Sequence, residues 1–596
     1  MKGLDPEYLG EPLVVEEQPV RRFLDTLLTG ILGCIAGLLI AMAIHRIQLF
    51  FGGDPAKTIG ATCVLFGVLV LLPSAVWIAL LRGKSSLSDI GLLFVIAASR
   101  FYLTLPADFV IWSESDFVND VLKFRVGYPI FSAQVNNDSF TYVPGTQLLT
   151  YFLAWLSGSP LSVPRYRLIQ LGYTFLSTLI AFICWYRIIS IAGVNVKGST
   201  LRLWGALSFP VLLLAATNSI TNPFTHLLHN DALTQLVTLL CFWLVLEYGS
   251  TQKRWLLIPM VVIPAAGFWV KQSILVWICL FGLNVLLFSR PRSLVRTVGF
   301  GFASLVAAVV SVGIGYFLWQ DNFVYWTFTV LGRHEVSPLR SIRHLLTVWP
   351  YFVIGLLGGV ALMRPAEGRH LLGPWLIWLS VISIETYTSG IAWMTNHIGP
   401  GSLIASVFFV AGAMHIVYRS PRPTVGTARP FDWIATGACA AVVCLVFSGL
   451  GMVRIPISPF SEEDSRRYIS EIEHEFAGEP ADRVLLDVGT WVYLSSGSVM
   501  KDRAPTIGER GYSQTGDFSG VLERLNNRFY TKILVRNFHS GDFWYDHALW
   551  STSSGIRDSL RQNYREVGRI RAISGIAEAD SPYGFREISI LVPREN

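Results

Sequence analysis

The sequence predicts a polytopic α-helical membrane protein with about thirteen transmembrane helices and an interfacial helix in its first long outer loop. A C-terminal extracytoplasmic α/β domain follows. Three observations carry this. Hydrophobic residues make up 52% of the 596 positions, charged residues only 15%, and mean hydropathy is +0.48; soluble domains carry about 25% charge. Apolar runs of near-spanning length recur from residue 24 to residue 453. The charge then rises sharply: 38 of the 142 residues from 455 onward are charged, against 50 of the first 454.

The spans are predicted at 24–44, 59–80, 88–106, 168–187, 203–218, 232–249, 255–270, 272–289, 298–319, 345–362, 371–388, 399–417 and 431–453. The stretch 255–289 is too long for one helix and contains Pro264 and Lys271, so a break is expected at Lys271. Residues 1–23 form a cytoplasmic tail, 24–454 the membrane body and 455–596 a soluble domain. In that domain, helical patterns at 464–477, 518–529 and 555–564 alternate with strands at 484–488, 532–536 and 587–592, which indicates a small α/β layer. Asp487 falls at a strand end.

Positive charge fixes the orientation. Arg21 and Arg22 place the N-terminus in the cytoplasm. The basic turns then fall inside: Arg82/Lys84, Arg187/Lys197/Arg202, Lys253/Arg254, Arg290/Arg292/Arg296, Arg364/Arg369 and Arg419/Arg422/Arg429. The run 142–157 would invert every later turn if it spanned, so it is expected to be re-entrant or interfacial within the outer loop 106–167. The protein is thus expected to be multi-pass in the plasma (inner) membrane, with its C-terminal domain extracytoplasmic.

Several basic residues stand outside against the rule: Lys123, Arg125, Arg165, Arg167, Lys271, Arg333, Arg340 and Arg343. An anionic ligand at the outer face is one reason for such exceptions. Beside them lie Glu114, Asp116 and Asp120 in the loop WSESDFVNDVLKFRVGYPIF, positioned to meet a lipid-linked substrate near the headgroups. Arg100 lies inside the third span, where an ionisable group is costly and points to function. Further polar candidates are His226, His229, Asn230 and Asp231 around HNDAL, His334 and His344 in the loop 320–344, and Asn396 and His397 before the helix at 399. Asp231 is also a natural helix cap. No phosphate-binding GxxxxGK[ST] loop and no dinucleotide fingerprint occurs, which argues against a nucleotide-driven enzyme. The seven cysteines lie in apolar runs and suggest neither a disulfide framework nor a zinc site. No nucleic-acid partner is indicated.

Three segments in this order resemble the GT-C superfamily of integral-membrane glycosyltransferases, including bacterial lipid-linked-sugar transferases related to protein mannosyltransferases and arabinosyltransferases. They are ESDFVNDVLKFRVGYPIF followed by TYVPGTQLLTYFLAWLSG, then HNDAL, then the polar NHIGP junction before a late span. The resemblance covers about 88–596. Two spans precede it, and the acidic signature reads E-S-D rather than an adjacent pair. It implies inverting transfer of a sugar from a polyprenyl-phosphate donor to an envelope glycan, glycolipid or protein acceptor at the outer membrane face. Asp116 or Glu114 would be general base, with Asp116 slightly favoured. Arg100, Lys123, Arg125, Arg165, Arg167, His229, Asp231, Lys271, Arg333, His334, Arg340 and His397 would contact the donor phosphate or sugar. Some members use a divalent cation and others do not; no residue set here assigns a metal or other cofactor. The rival readings are a transporter or flippase of a lipid-linked sugar and a non-catalytic envelope assembly protein.

Overall fold

The computed structural model describes residues 112–194, 198–218, 220–222, 224–364, 366–391, 395–419, 462–486, 489–494, 498–536, 538–539, 555–571 and 587–595. The predicted spans 24–44, 59–80, 88–106 and 431–453, together with Arg100 and Asp487, lie outside the described residues.

The described chain begins with two short helices, α1 (Trp112–Arg125) and α2 (Gly145–Leu156). The body follows as α3 (Val163–Ile191), α4 (Gly198–Ala216), α5 (Asp231–Thr251), α6 (Leu257–Gly267), α7 (Val276–Phe288), α8 (Leu294–Val324), α9 (Pro338–Met363), α10 (Leu372–Thr388) and α11 (Gly399–Arg419). Each matches a predicted span. Five helices among the described residues are long and apolar enough to cross a membrane: Val163–Ile191, Asp231–Thr251, Leu294–Val330, Pro338–Met363 and Thr395–Ile416. The protein is a multi-pass membrane protein.

The helix starts are written locally. Ser162 caps α3 by accepting from Arg165 N at 3.3 Å, with proline in the first turn. Ser337 does the same for α9 toward Arg340 N at 3.4 Å, again with proline at the start. The expected break between α6 and α7 is present. Lys271 takes an extended backbone (φ −158°, ψ 132°), and a short 3-10 turn, Gln272–Leu275, restarts the chain. Trp269, within the break, accepts from Gly145 N at 2.8 Å. A side chain at Gly145 would run into the Trp269 carbonyl, so only glycine allows α2 to start there.

The body core joins α3, α4, α5, α9, α10 and α11 through residues such as Trp185, Phe242, Tyr351, Trp378 and Phe408. By contrast α8 carries a largely exposed apolar surface, with Leu294, Val298, Phe302, Leu305 and Val309 exposed. It breaks at Gln320 (φ 52°, ψ −138°) and continues as a π-turn, Tyr325–Val330.

The C-terminal region holds α12 (Glu462–Phe476), β1 (Val484–Leu486), α13 (Ala504–Tyr512), α14 (Ser519–Asn526), β2 (Lys532–Arg536), α15 (Ile556–Asn563), β3 (Tyr564–Arg571) and β4 (Glu587–Pro593). The sheet order is β1-β2-β4-β3; β1 runs parallel to β2, while β4 is antiparallel to β2 and β3. The predicted helices and strands are found, shifted by a few residues. Two elements were not expected, α13 and β3. APTIGERGY has little apolar content, and YREVGRIR, an outer strand of the sheet, is mostly polar, so neither carries a strong periodic signal.

This region packs directly on α1 and the loop that follows it. One apolar cluster joins Phe117, Val118 and Val121 of α1 to Ile472, Phe476, Trp491, Leu534 and Ile570. Asn137 bridges Asp502 across the interface: Arg503 N donates to Asn137 O at 2.9 Å, and Asn137 N to Lys501 O at 2.9 Å.

Candidate active site

Helix α1 carries the acidic residues of the outer loop inward, against the C-terminal region and α3. Glu114, Asp116 and Asp120 are all essentially sealed from solvent. Buried carboxylates require partners, and each has a different one.

Glu114 is closed by Arg167 of α3, which donates from Nε to Oε1 at 3.0 Å and from Nη2 to Oε2 at 2.6 Å. Oε1 also accepts from Leu228 N at 2.9 Å, so the carboxylate ties three segments together. Asp116 accepts through Oδ1 from Nη1 of Arg503, which immediately precedes α13. Asp120 lies one helical turn further on the same face. Its Oδ2 accepts from Gln147 Nε2 of α2 at 2.7 Å. Burial pushes the Asp120 carboxyl up to about 7, helped by the charge on Asp116; Lys123, Gln147 and Arg503 pull the other way.

Lys123, a further turn along, is also buried and serves the loop. It donates to the Ile130 carbonyl and to Ser139 Oγ at 3.0 Å, and pairs with Asp138 at 3.5 Å. Burial lowers its pKa against the pull of Asp138 and Asp120.

A second polar cluster sits at the N-terminal ends of α5 and α11. The Asp231 carboxylate accepts from Asn396 Nδ2 at 3.0 Å and pairs with Lys271 Nζ at 3.4 Å and His229 Nδ1 at 3.3 Å. His397 lies in the electrostatic reach of Lys271, Asp231 and His229. The sequence offered Asp231 as the cap of α5, but the N-cap is Asn230, whose side chain makes no capping bond; Asp231 is the first helical residue and its carboxylate serves the cluster. Aromatic rings join the two clusters. Phe117, next to Asp116, meets the His229 ring at 4.8 Å and stacks on Tyr142 at 6.4 Å. Lys271 Nζ lies 5.8 Å from the centre of the Tyr142 ring.

The remaining sequence candidates lie in other contacts. Arg125 is exposed and donates to the Leu494 carbonyl. Arg165 is half-buried, and Arg333 is exposed. Arg340 donates to the Ile391 carbonyl at 3.0 Å. His334 contacts Glu509 of α13 at 3.2 Å, and burial lowers its pKa to about 4. His344 bonds Ser389 at 3.0 Å. Sequence reasoning did not single out Arg503, Gln147 as a carboxylate partner, or Asp138. Arg503 sits in KDRAPTIGER, an ordinary charged stretch, and nothing local marks it. Among the described residues no group of three or more His, Cys, Asp or Glu could hold a metal ion.

The fold and these clusters define a class: a multi-pass membrane body in which a short helix, α1, buries paired carboxylates under a mixed-sheet region. The crystal structure of ArnT from Cupriavidus metallidurans in the apo state is similar, with a TM-score of 0.50 at 12% identity over 87% of this chain and 98% of that one. This likeness shows the fold. The apo Archaeoglobus fulgidus oligosaccharyltransferase matches with a TM-score of 0.45 at 8% identity, over 84% of this chain and 76% of that one. No protein-family model and no curated protein matches the sequence.

Proposed function

We propose that the protein transfers a sugar from a polyprenyl-phosphate donor to an extracytoplasmic glycan, glycolipid or protein acceptor, with inversion at the sugar carbon. The observation that carries the reading is the division of labour between two carboxylates on one short helix. Glu114 has both oxygens held by Arg167 and Leu228 N. Asp116 is held end-on by Arg503. Asp116 is therefore the general base that accepts the proton of the acceptor hydroxyl, and Glu114 positions α1 against α3. A modest base suffices, because a lipid phosphate is a good leaving group.

The cluster of Lys271, His229, Asp231 and Asn396 supplies donors and an acceptor for the sugar or phosphate of the donor. His397, Arg165, Arg333, Arg340 and Arg100 are further donor-contact candidates. The 12-residue α2 is about 18 Å long, short of the ~30 Å hydrocarbon core, which favours an interfacial position for it. The full count of thirteen spans, the cytoplasmic N-terminus and the boundaries 1–23, 24–454 and 455–596 belong to the same reading.

The test is direct. Purified protein is incubated with labelled polyprenyl-phosphate sugars and membrane lipid extract, alongside Asp116→Asn. Sugar transfer by the wild type that the variant loses supports the reading. Transfer retained in full by Asp116→Asn removes the base assignment. Movement of a lipid-linked sugar across a reconstituted bilayer without any covalent product replaces the reading with transport.

A further inference from the structure

Arg503 is 1% exposed and enters the outer loop from the C-terminal region. Only Nη1 reaches Asp116; Nε and Nη2 are buried and have no hydrogen-bond partner among the described residues. A buried guanidinium with two unused donors is costly. The open pair is the side-on edge of the group, whose two parallel N–H bonds match two oxygens of one oxyanion.

The placement is built. Leu486 and Asn137 each bridge this segment, at Arg503 and Asp502, and Arg503 N donates to Asn137 O at 2.9 Å. Asp502 is fixed in turn by Asn137 Nδ2 at 2.7 Å, Tyr530 OH at 2.7 Å and Arg524 Nε at 2.8 Å. Further donors and a helix dipole lie on the same segment. Arg503 occupies the N-cap position of α13, at the positive end of its dipole. In the first turn, Thr506 Oγ1 is buried without a partner among the described residues. Arg510, on the same helix and 2% exposed, likewise leaves its Nε unpartnered among the described residues.

We propose that Arg503 is an oxyanion-binding residue of the active site: Nη1 orients Asp116, and the Nε/Nη2 edge grips two oxygens of a substrate phosphate. The C-terminal region thus completes the site instead of merely covering it. The inference rests on the transferase reading for the nature of the anion, which is either the phosphate of the lipid-linked donor or a phosphate on the acceptor.

The experiment measures binding to the purified full chain in detergent. The probes are a polyprenyl monophosphate, the same polyprenol without phosphate, and glucose 1-phosphate as a phosphosugar without a lipid tail. The variants are Arg503→Met and Arg503→Lys. Tyr325→Phe, which removes the 2.9 Å bond from Tyr325 OH to Thr515 O, controls for looser docking of the C-terminal region. Arg503→Met should weaken phosphate binding by about tenfold or more, with polyprenol binding unchanged, Arg503→Lys intermediate and Tyr325→Phe like wild type. Loss confined to the polyprenyl phosphate assigns the donor phosphate; loss confined to glucose 1-phosphate assigns an acceptor phosphate. Should Arg503→Met fail to fold, Arg503→Lys keeps the charge, removes the planar edge and carries the test alone. Wild-type affinity for both phosphates in the Arg503 variants overturns the inference and leaves the transferase reading standing. A wild type that binds neither phosphate overturns both.

Discussion

Arg167 of α3 closes on Glu114 of α1 through two hydrogen bonds, at 3.0 and 2.6 Å, with the two side chains 2% and 0% exposed. Fifty-three residues of chain, including α2, are closed into a loop by this contact. Breaking a buried pair from one side strands the other charge, which costs about 3–5 kcal/mol. Glu114→Ala should therefore lower the thermal unfolding midpoint clearly, and Arg167→Met should do the same. A midpoint unchanged in both variants would remove the structural role given to the pair.

Asp116→Asn keeps an oxygen for Arg503 and loses the basic function. Sugar transfer should fall by about 10²–10⁴-fold; the buried Arg503 loses its counter-charge, so the unfolding midpoint should drop too, but by less than in Glu114→Ala, because the Asn oxygen still accepts from Nη1. The two carboxylates therefore separate experimentally: Glu114 is read by stability, Asp116 chiefly by rate. Equal loss of stability in both would contradict the division.

Asp120 makes stability depend on pH. Its carboxyl is pushed up to about 7 in the fold by burial, from 3.8 ordinarily. Between those values the folded chain binds more protons at this site than the unfolded chain. Its contribution is thus fully present below about pH 4 and is lost as pH rises through about 7, with a slope of up to about 1.4 kcal/mol per pH unit. Unfolding midpoints of wild type and Asp120→Asn, compared from pH 4 to pH 8, should show that component in the wild type and not in the variant. Parallel curves would refute it.

Lys271→Met leaves Asp231 with His229 and Asn396 but removes the cation at the break between α6 and α7. Transfer should fall mainly through a higher KM for the lipid-linked donor, by about tenfold, the loss of one charged hydrogen bond. A change confined to the acceptor KM would move Lys271 to the acceptor side.

Helices α9 and α11 touch backbone to backbone at two glycines. A Cβ at Gly412 would lie 2.6 Å from Gly358 Cα, and one at Gly358 would meet the Phe408 carbonyl. Small residues at such crossings allow membrane helices to approach closely. Gly358→Ala has no flexible neighbour to displace, so it should destabilise by about 1–3 kcal/mol, read as a lower unfolding midpoint.

Much of this was legible in the sequence. The nine body helices from α3 to α11 follow from apolar runs, because lipid requires each span to satisfy its own backbone. The break at Lys271 follows from a charge between two apolar runs. Glu114 and Asp116 were marked as acids directly after a predicted span, Arg167 and Lys271 as basic residues against the positive-inside rule, and Asp231 and Asn396 by the HNDAL and NHIGP segments. α13 and β3 were not, since each is short and polar.

Composition and periodicity thus determined a multi-pass membrane body and a C-terminal region of helices and strands, because hydrophobic transfer and backbone hydrogen bonding act along the chain. Only the tertiary structure decided the pairing. That Glu114 meets Arg167 while Asp116 meets Arg503, 387 residues away, depends on which faces pack together. Long-range ion pairs have no sequence period, so the residue that reaches Asp116 from the C-terminal region could be found only in the folded chain.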